Sequence, residues 1–461
     1  MSNQGQEMKE NKMGVMPVNK LIWNMSIPMM ISMLVQALYN IVDSIFVAKL
    51  SEDALTAVSL AFPLQMMLIS VSVGTGVGIN ALLSKSLGER DFKKVNDTAT
   101  NGGFIYLLSY LVFLVVGLTC VKPLYNSMLK GQNPQIMEYG CTYLSIVLIV
   151  SFGLFTQVFF ERLLTSTGKT VFSMISQLSG AVINLILDPI MIFGLFGCPK
   201  MGIAGAAVAT VTGQIIAGII ALTCHVCVNK EVKISLKGFK PNGAIIKGIY
   251  SVGVPAIIMQ SIGSVMNFCM NQILIGFTPT ATAVFGVYFK LQSFFFMPIF
   301  GMTNGITPIL AFSYGAGQRK RMMKTIKISM IAAFLLAGFG CLCFEFIPHV
   351  LLRLFDAQEE MMAIGTVALR VIGIHYLFAW FCIIIGTVFQ ALGKAMYSMI
   401  VSIMRQLFVL IPAAYILAKV GGLSAVWWSF PIAELMSLMV TLFFFARIYK
   451  NIIKQIPEGN D

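Results

Sequence analysis

Apolar residues run through this chain in long, almost uncharged stretches, unlike the narrow stripes of soluble helices or the alternation of half-buried strands. Phe104 to Val121, Tyr143 to Phe160 and Ile328 to Ile347 each hold roughly 18 to 20 residues, enough at roughly 1.5 Å per residue to cross about 30 Å of hydrocarbon. Read along the whole chain, the pattern predicts twelve spans, over 20–46, 54–82, 99–121, 139–165, 170–194, 202–227, 244–276, 281–313, 326–349, 361–390, 395–419 and 424–448. Polar residues collect between them. The expected fold is therefore an all-α polytopic membrane protein of twelve transmembrane helices.

The two halves of the pattern repeat. Pro28 and Asn40 recur as Pro255 and Asn267, an offset of 227, and the same offset carries Gly74, Gly78, Leu83, Ser86 and Gly88 onto Gly301, Gly305, Leu310, Ser313 and Gly315. Gly168-Lys169 and Ser173-Met174-Ile175 return as Gly393-Lys394 and Ser398-Met399-Ile400, at an offset of 225. Duplication of a six-helix unit follows. Because six is even, each copy starts and ends on the same side, so the halves are related by an axis along the membrane normal, and proteins of that design bind between the halves and rock one against the other. The division expected is a tail over 1–19, a six-helix bundle over 20–228, a linker over 229–243 with Gly238, Pro241 and Gly243, a second bundle over 244–448, and a tail over 449–461. The first tail has no signal-peptide core or cleavage site and is expected to stay on the protein as a flexible segment.

Composition agrees with a bilayer: 57% of residues are hydrophobic and 11% charged. A net charge of +13 invites a nucleic-acid reading, but the placement of the cations removes it. With the first residue inside, the inner segments hold clusters such as Lys85, Arg90, Lys93 and Lys94, then Lys230, Lys233, Lys237, Lys240 and Lys247, then Arg319, Lys320, Arg321, Lys324 and Lys327. The outer ones keep only Lys49, Lys122, Lys130, Lys200, Arg353 and Lys419. This positive-inside bias predicts both termini in the cytoplasm, and the expected location is a bacterial cytoplasmic membrane. The nine cysteines form no paired cluster, and Cys224-His225-Val226-Cys227 is read as packing at a helix end, without a metal.

Asp43, Asn184 and Asp188 stand inside apolar spans. A carboxylate there is costly unless paired, hydrated or able to take up a proton or cation, so these residues mark the expected ion-coupling site. Asn184 and Asp188 are four apart and share a helix face, and Pro189 loosens the carbonyl of Leu185 beside them. Asp43, Asp188 and Thr210 lie at similar depth from the outer ends of their helices, so all four residues are expected to meet in one cavity of the first bundle. Gln36, Tyr39 and Asn40, on neighbouring turns, and Met270, the repeat equivalent of Asp43, stand as candidate cavity or substrate contacts. The second copy lacks the acids: Asn184 and Asp188 align with Val409 and Ala413, or with Leu407 and Ile411 if the prolines are matched. Glu161, Arg162, Glu345, Arg370 and Glu434 are read as snorkelling from helix ends, Arg405 and Lys290 as deeper residues that are paired or line the cleft, and His225, His349 and His375 as forming no catalytic constellation.

Several of these segments together resemble the multidrug and toxic compound extrusion (MATE) family: Pro28 with Tyr39-Asn40-Ile41-Val42-Asp43-Ser44-Ile45-Phe46-Val47, Asn184-Leu185-Ile186-Leu187-Asp188-Pro189, Gly202-Ile203-Ala204-Gly205-Ala206-Ala207-Val208-Ala209-Thr210, and Pro308 with Tyr314-Gly315-Ala316. The resemblance covers nearly the whole chain. It implies a V-shaped pair of pseudo-symmetric six-helix bundles that exports cationic, amphipathic drugs in exchange for H+ or Na+, in contact with membrane lipid, as a monomer and without a cofactor. Within the family the chain is closer to the MepA and DinF branch than to the NorM branch, whose seventh-helix Glu is replaced here by Gly263, Ser264 or Val265. An enzyme is not expected: Gly168-Lys169-Thr170 is a fragment of a phosphate loop with Leu163 where its first glycine belongs. The competing reading is a flippase or exporter of lipid-linked saccharide. A major-facilitator transporter fits less well, because Gly88-Glu89-Arg90-Asp91 matches its loop signature poorly, and the buried acids argue against a scaffold.

Overall fold

A computed structural model of the chain describes residues 11–129, 133–235, 238–355 and 357–457, and among these the secondary structure is helical. A short helix α1 (Lys12–Val15) precedes α2 (Val18–Ala48), α3 (Glu52–Gly88), α4 (Phe92–Thr119), α5 (Val121–Leu129), α6 (Pro134–Ile149), α7 (Phe152–Ser166), α8 (Thr170–Phe193) and α9 (Ile203–Val228). The second half runs α10 (Gly243–Ile275), α11 (Pro279–Gly315), α12 (Arg319–Phe346), α13 (Pro348–Arg353), α14 (Glu359–Gly373), α15 (Tyr376–Ala391), α16 (Ala395–Ile403), a π-helical turn over Met404–Leu410, α17 (Ile411–Val426) and α18 (Ser429–Asn451). Ten helices are long and apolar enough to cross a bilayer, and the bent pairs α6–α7 and α14–α15, which turn by 42° and 49°, bring the number of spans to twelve. Helix starts follow local chemistry. Ser51, Asp91, Asn242 and Thr278 accept first-turn amides of α3, α4, α10 and α11 at 3.0–3.1 Å.

The halves match element by element, down to the short helices α5 and α13 and the two bent spans. Neither bend falls at a proline. In each, a side chain bonds a carbonyl three residues back: the Ser151 hydroxyl donates to the Leu148 carbonyl at 2.7 Å, and His375 Nδ1 lies 2.6 Å from the Ile372 carbonyl. Such local bonds compete with the helical ladder and bend it.

The longest helices, α2, α3, α10 and α11, are the ones that join the halves, α2 against α11 and α3 against α10. Lipid gives helices no hydrophobic reason to associate, so close packing through small residues carries much of the contact. A Cβ added to Gly74 would lie 2.8 Å from the Ile257 amide nitrogen, and one on its repeat equivalent Gly301 would lie 2.7 Å from that of Met30. Gly78 meets the backbone of Ile249 and Gly253, and Gly305 that of Met25 and Ser26; Gly88 meets Phe312, and Gly315 meets Lys85. Met30 and Ile257, and Lys85 and Phe312, are themselves 227 apart, so the seam obeys the twofold axis. It lies toward the end of the molecule that carries the basic loops. Arg162 of α7 adds a bond across the halves to Asn304 of α11, at 3.0 Å.

The stretch before α2 differs from the expected flexible tail. Residues 1–10 lie outside the described residues, but Met13 is fully buried, Arg321 donates to the Met13 and Met16 carbonyls, and Asn11 donates to Glu231 and to the Thr167 carbonyl. The segment straps both halves together at the basic end. Beside it Lys169 pairs with Glu231 at 3.4 Å, and burial, opposed by Glu231, holds the Lys12 and Lys169 ammoniums below the ordinary lysine value.

Candidate ion-coupling site

The site is built from α2, α6, α8 and α9, toward the end away from the basic loops. Glycines bring α8 and α9 into backbone contact: a Cβ on Gly213 would lie 2.8 Å from the Gly180 carbonyl oxygen, and one on Gly205 2.6 Å from the Met191 carbonyl. That approach sets Asn184 and Asp188 of α8, 3% and 0% exposed, beside Thr210 of α9. With its amide oriented to satisfy both neighbours, Asn184 donates to Asp188 Oδ2 and accepts from the Thr210 amide, each at 3.1 Å. The Thr210 hydroxyl donates to the Ala206 carbonyl at 3.0 Å, leaving its lone pairs toward the site.

Asp43 of α2 completes the pocket. Its side chain stands within hydrogen-bonding reach of Asp188, and its buried Oδ1 has no donor. Neither acid forms an ion pair among the described residues. Tyr39, one turn earlier on α2, and Tyr143 of α6 are close enough to both carboxylates to interact with them electrostatically. Two ionised carboxylates offer only acceptors and repel, so the contact asks for a proton shared between them or a cation among their oxygens.

The structure thus brings together Asp43, Asn184, Asp188, Thr210 and Tyr39. Gln36 and Asn40 are exposed along α2, and the Asn40 carbonyl accepts from Ser44 at 2.8 Å. Met270 departs from the expectation: it is fully buried in the apolar core, because α10 turns that face inward.

Three residues read as snorkelling are also buried. Glu161, 5% exposed, accepts from Gln157, Ser176 and Gln177 at 2.9–3.0 Å, and Arg162 is 9% exposed. Glu434, 2% exposed, pairs with Arg405 at 3.0 Å. The spacing of Gln157 and Glu161, one helical turn, was a legible sign for the first; nothing local announces the second. Arg370 does stay at the surface and donates to the Glu345 carbonyl at 3.1 Å, while Lys290 is exposed over the Phe355 ring. His225 and His375 serve packing, against Phe160 and Phe296.

A membrane protein of two equivalent six-span halves, joined by a seam at one end and enclosing an uncompensated acid pair in one of them, is built as a transporter. The chain belongs to the MATE family: the MatE family model matches residues 28–190 and 255–416, once in each half, with starting points at the offset of 227 that the glycines follow. The multidrug export protein MepA of Staphylococcus haemolyticus is 27% identical over 425 residues, which is 92% of either chain. Among solved structures, an outward-facing conformation of a multidrug resistance MATE family transporter of the MOP superfamily superposes with a TM-score of 0.90 at 26% identity, covering 97% of this chain and 99% of that one. A MOP superfamily transporter from Pyrococcus furiosus, described as having a binding pocket of reverse polarity that suggests a different function, gives 0.88 at 26% identity over the same shares.

Proposed function

We propose that this protein exports cationic amphipathic compounds across a bacterial cytoplasmic membrane by antiport, with a proton, or in its place a sodium ion, loading the Asp43–Asp188 pair from outside. One observation carries the reading: two neighbouring carboxylates within hydrogen-bonding reach in the first bundle, with no ion pair to either among the described residues. In a low-dielectric interior like charges at contact cannot both persist, so loading a single positive charge changes the energy of the pocket strongly. The carboxylate oxygens of Asp43 and Asp188 with the Thr210 hydroxyl also suit a hard cation, which is the observation in favour of sodium. The name of the staphylococcal relative, a multidrug export protein, supports the cargo class. The positive-inside bias supports cytoplasmic termini.

The same helix links loading to access. α2 carries Asp43 and, about 13 residues or roughly 20 Å earlier, the Ser26–Met30 stretch that packs on Gly301 and Gly305. Pro28 lies within that stretch, and its carbonyl accepts from Ser32 at 3.0 Å, so the helix bends there most easily. With the seam closed at the basic end, the pocket faces outside. Loading removes the repulsion between α2 and α8, the far ends draw together, and the seam parts to admit cargo from the cytoplasm.

The experiment is transport of ethidium by purified protein in liposomes with a proton or a sodium gradient imposed in turn. Wild-type protein is expected to exchange ethidium against one of them, and Asp43→Asn and Asp188→Asn to lose that exchange. Exchange at the wild-type rate by Asp43→Asn refutes the assignment.

A further inference from the structure

In the register set by Gly168-Lys169 and Gly393-Lys394, Val409 and Ala413 take the places of Asn184 and Asp188. Arg405 stands one turn before Val409, so it faces the interior of the second bundle where the acid pocket lies in the first. It sits in the π-helical turn Met404–Leu410, an irregularity that recurs at functional positions. Its Nη1 donates to Glu434 Oε2 at 3.0 Å, while Nε and Nη2 have no hydrogen-bond partner among the described residues. Glu434 is buried, with 3% of its side chain accessible; 34% of the Arg405 side chain is accessible. Charged side chains within spans almost always face the bundle interior or a water-filled cavity, and the neighbours of Arg405 set its open edge on that inner side. The pair is close enough to Tyr288 of α11 and to His375 and Cys382 of the bent tenth span to interact with each of them electrostatically. Glu434 Oε1 and the Tyr288 hydroxyl are buried without partners, so the pocket is polar but incompletely satisfied.

We propose that Arg405 is a second recognition point, which binds a carboxylate or comparable anionic group of the cargo, so that the substrates include zwitterionic amphiphiles: amine toward Asp43 and Asp188, anion toward the free edge of the Arg405 guanidinium. The planar fork of arginine suits a carboxylate, and Glu434 occupies only one of its corners. The amine end rests on the function proposed above; the Arg405 end stands on its own geometry.

A matched pair of dyes tests it: a rhodamine methyl ester, which is a monocation, and the corresponding free acid, which is a zwitterion. Fluorescence polarisation of purified protein in detergent gives a Kd for each, without any gradient. Wild-type protein is expected to bind both. Replacing the ion pair by Arg405→Gln with Glu434→Gln is expected to weaken binding of the acid relative to the ester about tenfold, the worth of one charge-assisted contact. Glu434→Gln alone releases the guanidinium from its carboxylate, and the ratio is expected to move the other way. The opposite signs separate recognition from folding, because a merely structural pair would change both dyes alike. Should the double variant fail to fold, Glu434→Gln still decides. The inference is overturned if the wild type does not bind the acid, or if either folded variant leaves the acid-to-ester ratio unchanged. Ester export in liposomes under an ion gradient reports separately on the proposed antiport.

Discussion

Gly305→Ala places one methyl group in the seam. Its Cβ would lie 2.7 Å from Ser26 Cα and 2.9 Å from the Met25 carbonyl oxygen, both main-chain atoms of α2 that have no rotamer to give. Ordinary contact needs roughly 3.5 Å, so α2 and α11 must part by close to 1 Å along the segment that closes the basic end. Overpacking of this kind costs about 1–3 kcal/mol, or about 5- to 150-fold in an equilibrium constant. The cost falls on the state in which the seam is closed and is released when it opens, so the substitution shifts the population toward the opposite conformation. Gly78→Ala, its equivalent between α3 and α10, is expected to act in the same direction. Gly338→Ala on α12 is the control, since nothing lies within 4 Å of the added atom; it is expected to leave the distribution as it is. The measurement is the distance distribution between spin labels at Leu55, exposed near the start of α3, and Phe277, exposed just after α10, in a background without the natural cysteines. Gly305→Ala is expected to populate shorter far-end distances. A distribution unchanged from wild type in a protein of unchanged stability would show that the seam does not set the conformational balance.

Further outcomes follow from the buried polar groups. Glu161→Leu leaves the Gln157 and Gln177 amides without an acceptor and is expected to cost about 2–5 kcal/mol, read as a lower Tm in detergent, whereas Glu161→Gln keeps part of the network and loses less. Removal of the Arg321 bonds by Arg321→Ala is expected to speed maleimide labelling of a cysteine substituted for the fully buried Met13; unchanged shielding would mean that the strap is held without them. Because Lys12 and Lys169 sit below the ordinary lysine value of about 10.4, the unfolded chain binds more protons than the folded one between those values, and stability rises with pH through that window. Glu231 opposes this shift, so Glu231→Gln is expected to lower Tm at neutral pH and to recover more than wild type as pH rises; parallel curves for the two proteins would contradict it.

Most of the architecture was legible because a bilayer asks for long apolar spans, and the chain supplies twelve. Span ends came within a few residues where a capping side chain announced them, as Asn242 does for α10. The repeat was legible through glycines for a specific reason: Gly74, Gly78 and Gly88, with Gly301, Gly305 and Gly315, each face a neighbouring backbone that leaves no room for a side chain. The bends at Ser151 and His375 were not legible, since the bonds that make them use residues that also sit comfortably in straight helices. The acid site was legible for the complementary reason, that apolar spans make Asp43 and Asp188 conspicuous. Glu434 departs from the snorkelling expectation because its distance along the chain from the nearest loop does not measure its depth in the protein. The chain turns at Gly422, whose φ of 70° is open to glycine, and Trp427 and Ser429 are already buried, so a residue only five positions into α18 is enclosed by protein.

The two bundles therefore share a backbone plan and differ in charge. In the first, two carboxylates meet without an ion pair among the described residues, and on the proposed function exchangeable charge completes them. In the second, one carboxylate is completed from within by Arg405, a cation that cannot leave. A coupling site has to be able to lose its ion, and a tethered guanidinium, which stays protonated in proteins, can neither dissociate nor shed its proton. The second bundle is thus a poor place to load an ion and a suitable one to hold a fixed positive charge against cargo, while the proposed movable charge would stay with Asp43 on α2, the helix that also carries half of the seam. Division of labour between the copies follows from which of them keeps its charges replaceable.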